Sequence, residues 1–471
     1  MIADTPVPGD TLSGKIADFV VNTRFSDLPD KLVSELITVM QLSVLDWCTV
    51  SLAGTDEPVS RIVRQMLLTE GGHEQSLVIG ETRRLPMRAA ALANGTTSHA
   101  LDYDDTHFLH VGHTSVVILS AAMAAGQAGN VSMRGLLEAS IIGTEVACYT
   151  GHWLGRSHYE AGFHQSATAG TFGAVAATAR LLQLDAEQTQ HALGLATTRA
   201  SGLTSQFGTM GKPFNAGMAA ANGIEATLLA AMGFVSRPDA LECPQGFATS
   251  HHGQVTMATD AKTDPGSLSQ GNPMAKLGKD FVSVEVKHKF HACCHGLHAC
   301  IEALIELRDE HAILSDDIRA IRILTNPRWM QVCNQLAPRT GLEAKFSYRF
   351  VSAIVFSELD TAALTTYTDA NCHDPELQLV KERTHVAADA KLSDTAARVT
   401  VMMNDGRELS ATHDIAAPLD IATRQVKVLR KSAILLGETT SQSLWSTIVM
   451  QGGQDLSSLL DAIAKARETC N

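Results

Sequence analysis

Four histidines and three aspartates lie within fifteen consecutive residues, 99–113, which read HALDYDDTHFLHVGH. The stretch separates two apolar segments. A carboxylate beside an imidazole orients the ring and raises its basicity, and such a pair is the usual means of moving a proton near neutral pH. The sequence therefore predicts an acid–base site here. The alternative is a solvated loop in which Asp and His only cap helices and form turns.

Two further segments carry isolated ionisable residues. His164 precedes a stretch rich in Ala, Gly, Ser and Thr, which places it near the start of a helix, where anions are favoured. Lys212 follows a glycine-containing loop and precedes Pro213, which suits a first helical turn. The loop lacks the GxxxxGK[ST] pattern of a phosphate-binding loop. The alternatives are a histidine that only caps a helix and a solvated lysine.

Lysines and histidines are concentrated again at residues 287–298, KHKFHACCHGLH. These cations can hold carboxylates in a cleft between domains, where small-molecule sites often lie. An exposed basic strand end is the alternative. A metal is not predicted, although His and Asp can bind zinc or iron. The sequence has no HExxH and no paired CxxC, and the adjacent Cys293 and Cys294 would point apart on any regular element.

Composition excludes several classes of protein. The 471 residues carry a formal charge of −13, which opposes binding to nucleic acid. The nine cysteines are scattered, unlike those of a small disulfide-bonded secreted domain. The first residues lack the pattern of a secretory signal, and no uninterrupted apolar run reaches the ~18 residues of a membrane span. We therefore expect a cytoplasmic protein without a membrane or nucleic-acid partner.

The elements that position these residues are mostly helical in the first half of the chain. Apolar residues recur there at three- and four-residue steps, as on one face of a helix. Asp185 and Gln188 have the spacing of a capping box. No strand is predicted in this half. The predicted helices span residues 29–52, 58–69, 85–100, 115–128, 132–152, 168–183, 186–202 and 216–232.

A segment rich in Pro, Gly and Ser, 264–275, has the composition of a linker. Beyond it, apolar residues alternate at 282–286, 321–323 and 399–401, and the last run leads into an Asn-Asp-Gly turn at 404–406, so strands are predicted. Helices are predicted at about 295–312 and 344–357. The chain thus divides into a helical domain, 1–270, an α+β domain, 276–412, and a helical C-terminal segment, 413–471, which returns to the first domain.

Five motifs in this chain resemble those of the MmgE/PrpD family, in the family's order. They are HALDYDDTH at 99–107, GFH at 162–164, KPFNAGMAAANG at 212–223, KFHACCHGLHA at 289–299 and AKFSYRF at 344–350. The resemblance spans nearly the whole chain. It implies a mainly α fold, a large all-helical domain with an inserted smaller α+β lid domain, and usually a homodimer. Members include 2-methylcitrate dehydratase, cis-aconitate decarboxylase and iminodisuccinate epimerase, none of which needs a metal or organic cofactor.

The resemblance also implies site residues. The implied catalytic residues are Asp102, His113, His164, Lys212 and Lys289. Thr106 is the implied substrate-binding residue, and we predict that His107, His298 and Ser347 also bind the substrate. In this scheme His113 or His164 exchanges a proton with carbon, Asp102 sets the tautomer of the ring, and the two lysines bind carboxylates. This chain departs from the usual family motifs at Thr114, Gln165, Asn215 and Phe350, so the shape and polarity of the pocket differ.

The predicted activity is that of a cofactor-independent lyase acting on a small di- or tricarboxylic acid of the 2-methylcitrate or aconitate type. From the sequence, dehydration ranks ahead of decarboxylation. Phe350, where the family has a tyrosine, weighs against a close copy of aconitate decarboxylase. An epimerase of an iminodisuccinate-like dicarboxylate is the first alternative. A non-catalytic carboxylate-binding protein is the second.

Overall fold

The computed structural model describes residues 11–251, 272–450 and 456–469. The chain divides into two units. The first contains Met1–His288 and Leu436–Asn471, and the second contains Lys289–Leu435. These divisions differ from the sequence-based ones at 270–276 and 412–413. The helix Ile421–Leu436, at the end of the second unit, is amphipathic like the helices of the first unit. Its periodicity alone therefore does not show to which unit it belongs.

The first unit is built from helices. They are Leu12–Asn22, Asp30–Ala53, Pro58–Glu70, Met87–His99, Ser115–Ala128, Met133–Glu160, Gln165–Leu181, Ala186–Ala196, Gly211–Ala231, Phe247–His251, Glu438–Val449 and Ser457–Thr469. The eight helices predicted in this half are confirmed, with shifted ends. The capping box is also present, since Gln188 N donates to Asp185 Oδ1 and Asp185 N donates to Gln188 Oε1. Two short antiparallel strands, Ser76–Leu77 and Arg84–Leu85, were not predicted.

Small residues bring the helices of the first unit into close contact. The helices Met133–Glu160 and Gln165–Leu181 meet at two glycines. A Cβ placed on Gly143 of the first would lie 2.7 Å from Gly173 O of the second. A Cβ on Gly95 would lie 2.8 Å from Gly217 Cα. Side chains at these glycines would force the backbones apart, because protein interiors are close-packed. The second contact fixes the helix that begins beside Lys212 against the helix that ends at His99.

The helix Asp30–Ala53 is long and apolar enough to cross a membrane, and 89% of its most apolar window is buried in the protein. Among the described residues it is the one such helix. A helix buried to this extent in the protein is a core helix. The C-terminal part of the first unit packs near it, where Gln41 Nε2 donates to Ile448 O at 3.4 Å.

The second unit combines a mixed sheet with helices. Its strands lie in the order Thr384–Ala388, Ile318–Thr325, Ala396–Met403, Glu408–Asp414; the first pair is parallel and the others are antiparallel. The strands predicted at 321–323 and 399–401 are confirmed, as is the turn at 404–406, which joins the last two strands. The helices are His298–His311, Pro327–Val332, Gly341–Ala344, Tyr348–Phe356, Asp369–Cys372, Pro375–Arg383 and Ile421–Leu436.

The strand predicted from Val282, Val284 and Val286 is wrong. A 3-10 turn, Ser283–Glu285, occupies this position. The buried carboxylate of Glu145 accepts hydrogen bonds from the backbone N–H groups of Val282 and Ser283 at 3.1 and 2.7 Å, so these groups have no role in a sheet. The predicted linker, 264–275, lies outside the described residues up to residue 271.

Candidate active site

The loop between the helices Met87–His99 and Ser115–Ala128 folds back on itself. Asp102 and Val111 adopt left-handed φ angles of 51° and 53°. An aspartate tolerates this conformation better than most residues do. The loop is also held by a backbone pair, in which Thr106 N donates to Lys287 O at 2.9 Å and Lys287 N donates to Thr106 O at 2.8 Å. The folded loop buries most of its polar side chains.

Asp104 binds two imidazoles. Its Oδ1 atom is 2.8 Å from His99 Nδ1, and its Oδ2 atom is 2.7 Å from His113 Nδ1. The side chains of His99 and Asp104 are almost fully buried, and that of His113 is 10% exposed. Because a carboxylate only accepts hydrogen bonds, each ring must carry a proton on Nδ1. In a neutral His113 the lone pair is therefore on Nε2, where a base needs it.

The ionisation of this pair follows from burial and contact. Burial lowers the pKa of His113 to about 4, against the opposing attraction of Asp104. For Asp104, burial favours the protonated form, but the charges and hydrogen bonds of His113 and His99 outweigh it and hold the pKa well below its usual value. Near neutral pH Asp104 is therefore a carboxylate and His113 a neutral ring. The sequence assigned the orienting role to Asp102; this was wrong, because Asp104 contacts Nδ1.

Asp102 instead lies between a ring and a lysine. Its Oδ2 atom is 2.7 Å from Lys212 Nζ, and its Oδ1 atom is 3.4 Å from His113 Nε2. Lys212 lies in the first turn of the helix Gly211–Ala231, and Pro213 follows it there as predicted. The Asp102 side chain is 34% exposed and that of Lys212 15% exposed. A base, a cation and a carboxylate thus meet at the more open side of the cluster.

His164 completes the cluster. It is the residue before the helix Gln165–Leu181, as predicted, and it is 1% exposed. Its ring stacks on that of His99 with centroids 6.2 Å apart and meets the ring of Phe207 edge-on at 5.0 Å. Burial lowers its pKa well below the usual value, and the neighbouring His99 and Lys212 act in the same direction. Lys212 Nζ lies 5.2 Å from the centre of the Phe207 ring.

Two other histidines of the loop bind the backbone. His107 Nε2 donates to Val282 O at 2.8 Å, and His110 Nδ1 donates to Ala147 O at 3.1 Å. Burial lowers the pKa of His107 to about 4 and that of His110 to about 3. Both rings are nearly inaccessible to solvent. His107 thus holds the segment around Val282, and its substrate-binding role stays a prediction.

The remaining predicted residues are backbone-paired or lie in the second unit. Thr106 is part of the backbone pair with Lys287. Ser347 caps the helix Tyr348–Phe356: its hydroxyl accepts from Phe350 N at 3.2 Å and donates to Gln335 O at 2.7 Å. Lys289 and His298 belong to the second unit and are buried. Roles for Lys289 and His298 in the site stay predictions.

A buried network beside the cluster was not predicted. Asp105 accepts hydrogen bonds from Ser115 N at 3.2 Å, from the Ser43 hydroxyl at 2.9 Å and from the Ser115 hydroxyl. Ser43 Oγ is also 3.2 Å from His288 Nε2. Burial, and then the charge of Asp46, raise the pKa of Asp105 to about 7. No spacing in the sequence distinguishes Asp105 from Asp104, although their surroundings are opposite.

Four donors in the described part of the chain are near enough to one another to hold a metal. They belong to His99, Asp102, Asp104 and His113, and their ligand atoms lie within 4.8 Å of one another. The Nδ1 atoms of both histidines already donate to Asp104. The ammonium group of Lys212 already compensates the charge of Asp102. The hydrogen bonds therefore account for the cluster, and a metal-free site stays a prediction.

Comparison with known proteins supplies a family context. A model of the MmgE/PrpD N-terminal domain matches residues 14–259, and a model of the MmgE/PrpD C-terminal domain matches residues 291–439. The cis-aconitate decarboxylase of Aspergillus terreus is 25% identical over 460 residues, 92% of this chain and 90% of the relative. The cis-aconitate decarboxylase-like protein oryM of Aspergillus oryzae is 29% identical over 342 residues, 69% and 68% of the two chains. Human cis-aconitate decarboxylase is 30% identical over 221 residues, 46% of each chain.

Proposed function

Because this chain belongs to the MmgE/PrpD family, we propose that it is a cofactor-independent lyase acting on a small di- or tricarboxylic acid. The proposed chemistry is proton transfer at a carbon next to a carboxylate. Such a carbon becomes an enediolate-like anion, which nearby cations and hydrogen-bond donors stabilise. The cluster around Asp104 offers both a neutral base and a lysine.

The arrangement of His113 carries this proposal. Asp104 holds a proton on Nδ1 and leaves Nε2 of the ring available as the base. When Nε2 takes a proton, Asp104 stabilises the resulting imidazolium, as carboxylates do in other acid–base pairs. Lys212, 2.7 Å from Asp102, supplies the cation for a substrate carboxylate. Lys289 is proposed as a second cation on the resemblance of its motif alone.

The fate of the carbanion decides the reaction. Loss of a β-hydroxyl group from it is dehydration and protonation on its opposite face is epimerisation, whereas in decarboxylation the loss of CO2 itself leaves the carbanion, which then takes a proton. The sequence favoured dehydration. Because the relatives that cover most of the chain are named for cis-aconitate decarboxylation, we now place decarboxylation of an aconitate-type acid first and dehydration second. Epimerisation stays the alternative outside the lyases.

A substrate panel tests the proposal. The purified protein is incubated with cis-aconitate, citrate, 2-methylcitrate and iminodisuccinate in D2O, and products and deuterium incorporation are followed by NMR. We expect a new alkene, released CO2 or both with one acid. Exchange of a substrate proton without net product favours the epimerase. If no acid of the panel gives a product or exchanges a proton, the proposed function is contradicted.

Two substitutions test the residues. His113→Ala and Lys289→Ala are each expected to abolish turnover, since one removes the base and the other a proposed cation; loss of a single electrostatic donor typically costs on the order of 10²- to 10³-fold in rate. Circular dichroism and the melting temperature check the fold. Near-normal turnover of a folded His113→Ala protein contradicts the base. The same result for Lys289→Ala removes that lysine from the site.

A further inference from the structure

The side-chain amide of Asn215 contacts the ring of His164. Asn215 Nδ2 is 3.4 Å from His164 Nδ1 and 3.4 Å from the backbone oxygen of Leu203. The strand-like segment carrying Leu203 is fixed at this place, because His164 N donates to Gly202 O at 3.0 Å. A Cβ on Gly202, whose φ is +148°, would lie 3.3 Å from Asn215 Cγ. The glycine therefore leaves the space in which the amide contacts both acceptors.

The contact with Leu203 determines the orientation of the amide. A backbone carbonyl only accepts hydrogen bonds, so the atom of Asn215 that faces it must be the NH2 group and not the oxygen. The same nitrogen faces His164 Nδ1. Each of its two hydrogens can serve one acceptor, through bonds that are long and therefore weak. His164 Nδ1 must then be the unprotonated nitrogen of a neutral ring, and the ring proton is on Nε2.

The surroundings keep this ring neutral. His164 is buried and lies at the positive N-terminal end of the seventeen-residue helix Gln165–Leu181, which disfavours a second proton. The lowered pKa of His164, caused first by burial, has the same direction. A neutral imidazole at a helix N-terminus serves as a hydrogen-bond donor to developing negative charge in other enzymes.

The two rings are thus held in opposite tautomers. Asp104 accepts from Nδ1 of His113, whereas Asn215 donates to Nδ1 of His164. We propose that His113 is the base and that His164 is a neutral donor, whose Nε2–H binds an enediolate oxygen. In this step, which rests on the proposed function and belongs to its dehydration form, the carbon's proton passes to His113 Nε2, its electron pair enters the enediolate, and His164 keeps its proton. Asn215 is then a positioning residue that sets the tautomer.

The tautomers are measured without any substrate. Protein labelled with ¹⁵N-histidine gives two-dimensional NMR spectra in which the coupling patterns of the ring nitrogens distinguish Nδ1–H from Nε2–H. His113→Gln and His164→Gln identify the two spin systems. We expect Nδ1–H for His113 and Nε2–H for His164 between pH 6 and 8. An Nδ1–H form or a doubly protonated ring at His164 overturns the proposal.

Asn215→Asp tests the role of the amide. A carboxylate accepts where the amide donated, so we expect His164 to change to the Nδ1–H tautomer or to take a second proton, with a fall in kcat. Asn404→Asp is the matched control, because this exposed residue in the turn at 404–406 also donates its amide to a backbone oxygen, that of Asp316 at 2.8 Å. An unchanged His164 tautomer in a folded Asn215→Asp protein overturns the proposal.

Kinetics separate a donor from a base. Glutamine keeps an N–H donor but is not a base, so His164→Gln should retain more activity than His164→Ala, whose expected loss is on the order of 10²- to 10³-fold. His113→Gln should be as inactive as His113→Ala. Equal inactivity of the two His164 variants contradicts the donor role. Should no acid of the panel react, the proposed function fails, while the NMR spectra still decide the tautomers.

Discussion

Asp105→Asn should stabilise the first unit, and more so at alkaline than at acidic pH. The hydrogen bonds of Asp105 survive the exchange. The asparagine oxygen can accept from Ser115 N, and its NH2 group can donate to the hydroxyl oxygens of Ser115 and Ser43, which then turn their own protons elsewhere. For Ser43 an acceptor is at hand, His288 Nε2 at 3.2 Å. The variant loses only the buried negative charge and its repulsion with Asp46.

The magnitude follows from the pKa of Asp105, which is raised from 3.8 to about 7 by burial first and Asp46 second. Between these values the folded protein binds more protons than the unfolded chain, so the free energy of unfolding falls as the pH rises from 3.8 to about 7 and levels off above. The full difference corresponds to about 4 kcal/mol. Asparagine carries no charge, so its advantage is about 2 kcal/mol at pH 5 and about 4 kcal/mol at pH 8.

The assay is the melting temperature of both proteins at pH 5 and pH 8. At about 2 °C per kcal/mol, the expected gain of the variant is roughly 4 °C at pH 5 and roughly 8 °C at pH 8. Asp18→Asn is the matched control, since Asp18 is exposed on the helix Leu12–Asn22 of the same unit. The control should show no such pH dependence. An equal gain of Asp105→Asn at both pH values would refute the assigned cost of burying this charge.

Four further predictions concern the site and its support. Asp104→Asn offers one oxygen to two imidazole N–H groups, so one ring must change tautomer; we expect kcat to fall by up to about 10⁴-fold with the fold intact. In the wild-type protein, kcat/KM should be lost as the pH falls through about 4, where His113 takes a proton, and not between pH 6 and 8. Glu145→Gln leaves one of the N–H groups of Val282 and Ser283 without its acceptor, but it also removes a buried carboxylate whose pKa burial raises to about 7, so its melting temperature relative to the wild type should be higher at pH 8 than at pH 5. EDTA should change neither the activity nor the melting temperature, and a chelator-sensitive activity would restore the metal hypothesis.

The helices could be predicted because their signal is local. Residues that face the core recur every three or four positions, and a pattern such as that of residues 29–52 identifies a helix with no knowledge of its neighbours. The start of a helix could also be predicted where its cap is local in sequence, as at Asp185 and Gln188 before the helix Ala186–Ala196. The error at residues 282–286 has the opposite cause. Alternating valines suit a strand, but Glu145, distant in sequence, binds the backbone there and prevents pairing.

The resemblance predicted site residues in this loop, but the contacts that its three carboxylates make depend on backbone geometry. Asp102, Asp104 and Asp105 are chemically equivalent in the sequence. The left-handed turn at Asp102, with a φ of 51°, directs its side chain to Lys212. Asp104, two residues on, reaches the two imidazoles. Asp105 reaches the serine hydroxyls instead. The spacing of these residues in the sequence does not predict that their side chains make different contacts.

One departure from the family motifs gains a physical meaning in the structure. A histidine at position 215, as in many family members, offers a ring nitrogen that can donate or accept, so it leaves the tautomer of His164 open. The side-chain nitrogen of Asn215 can donate hydrogen bonds but cannot accept them. Its contact with Leu203 O requires that this nitrogen, and not the amide oxygen, faces the carbonyl. With asparagine at position 215, the neutral ring of His164 thus has one tautomer instead of two. A site with one fixed base and one fixed donor favours reactions that take or deliver a proton on a single face over epimerisation, which needs a base on each face.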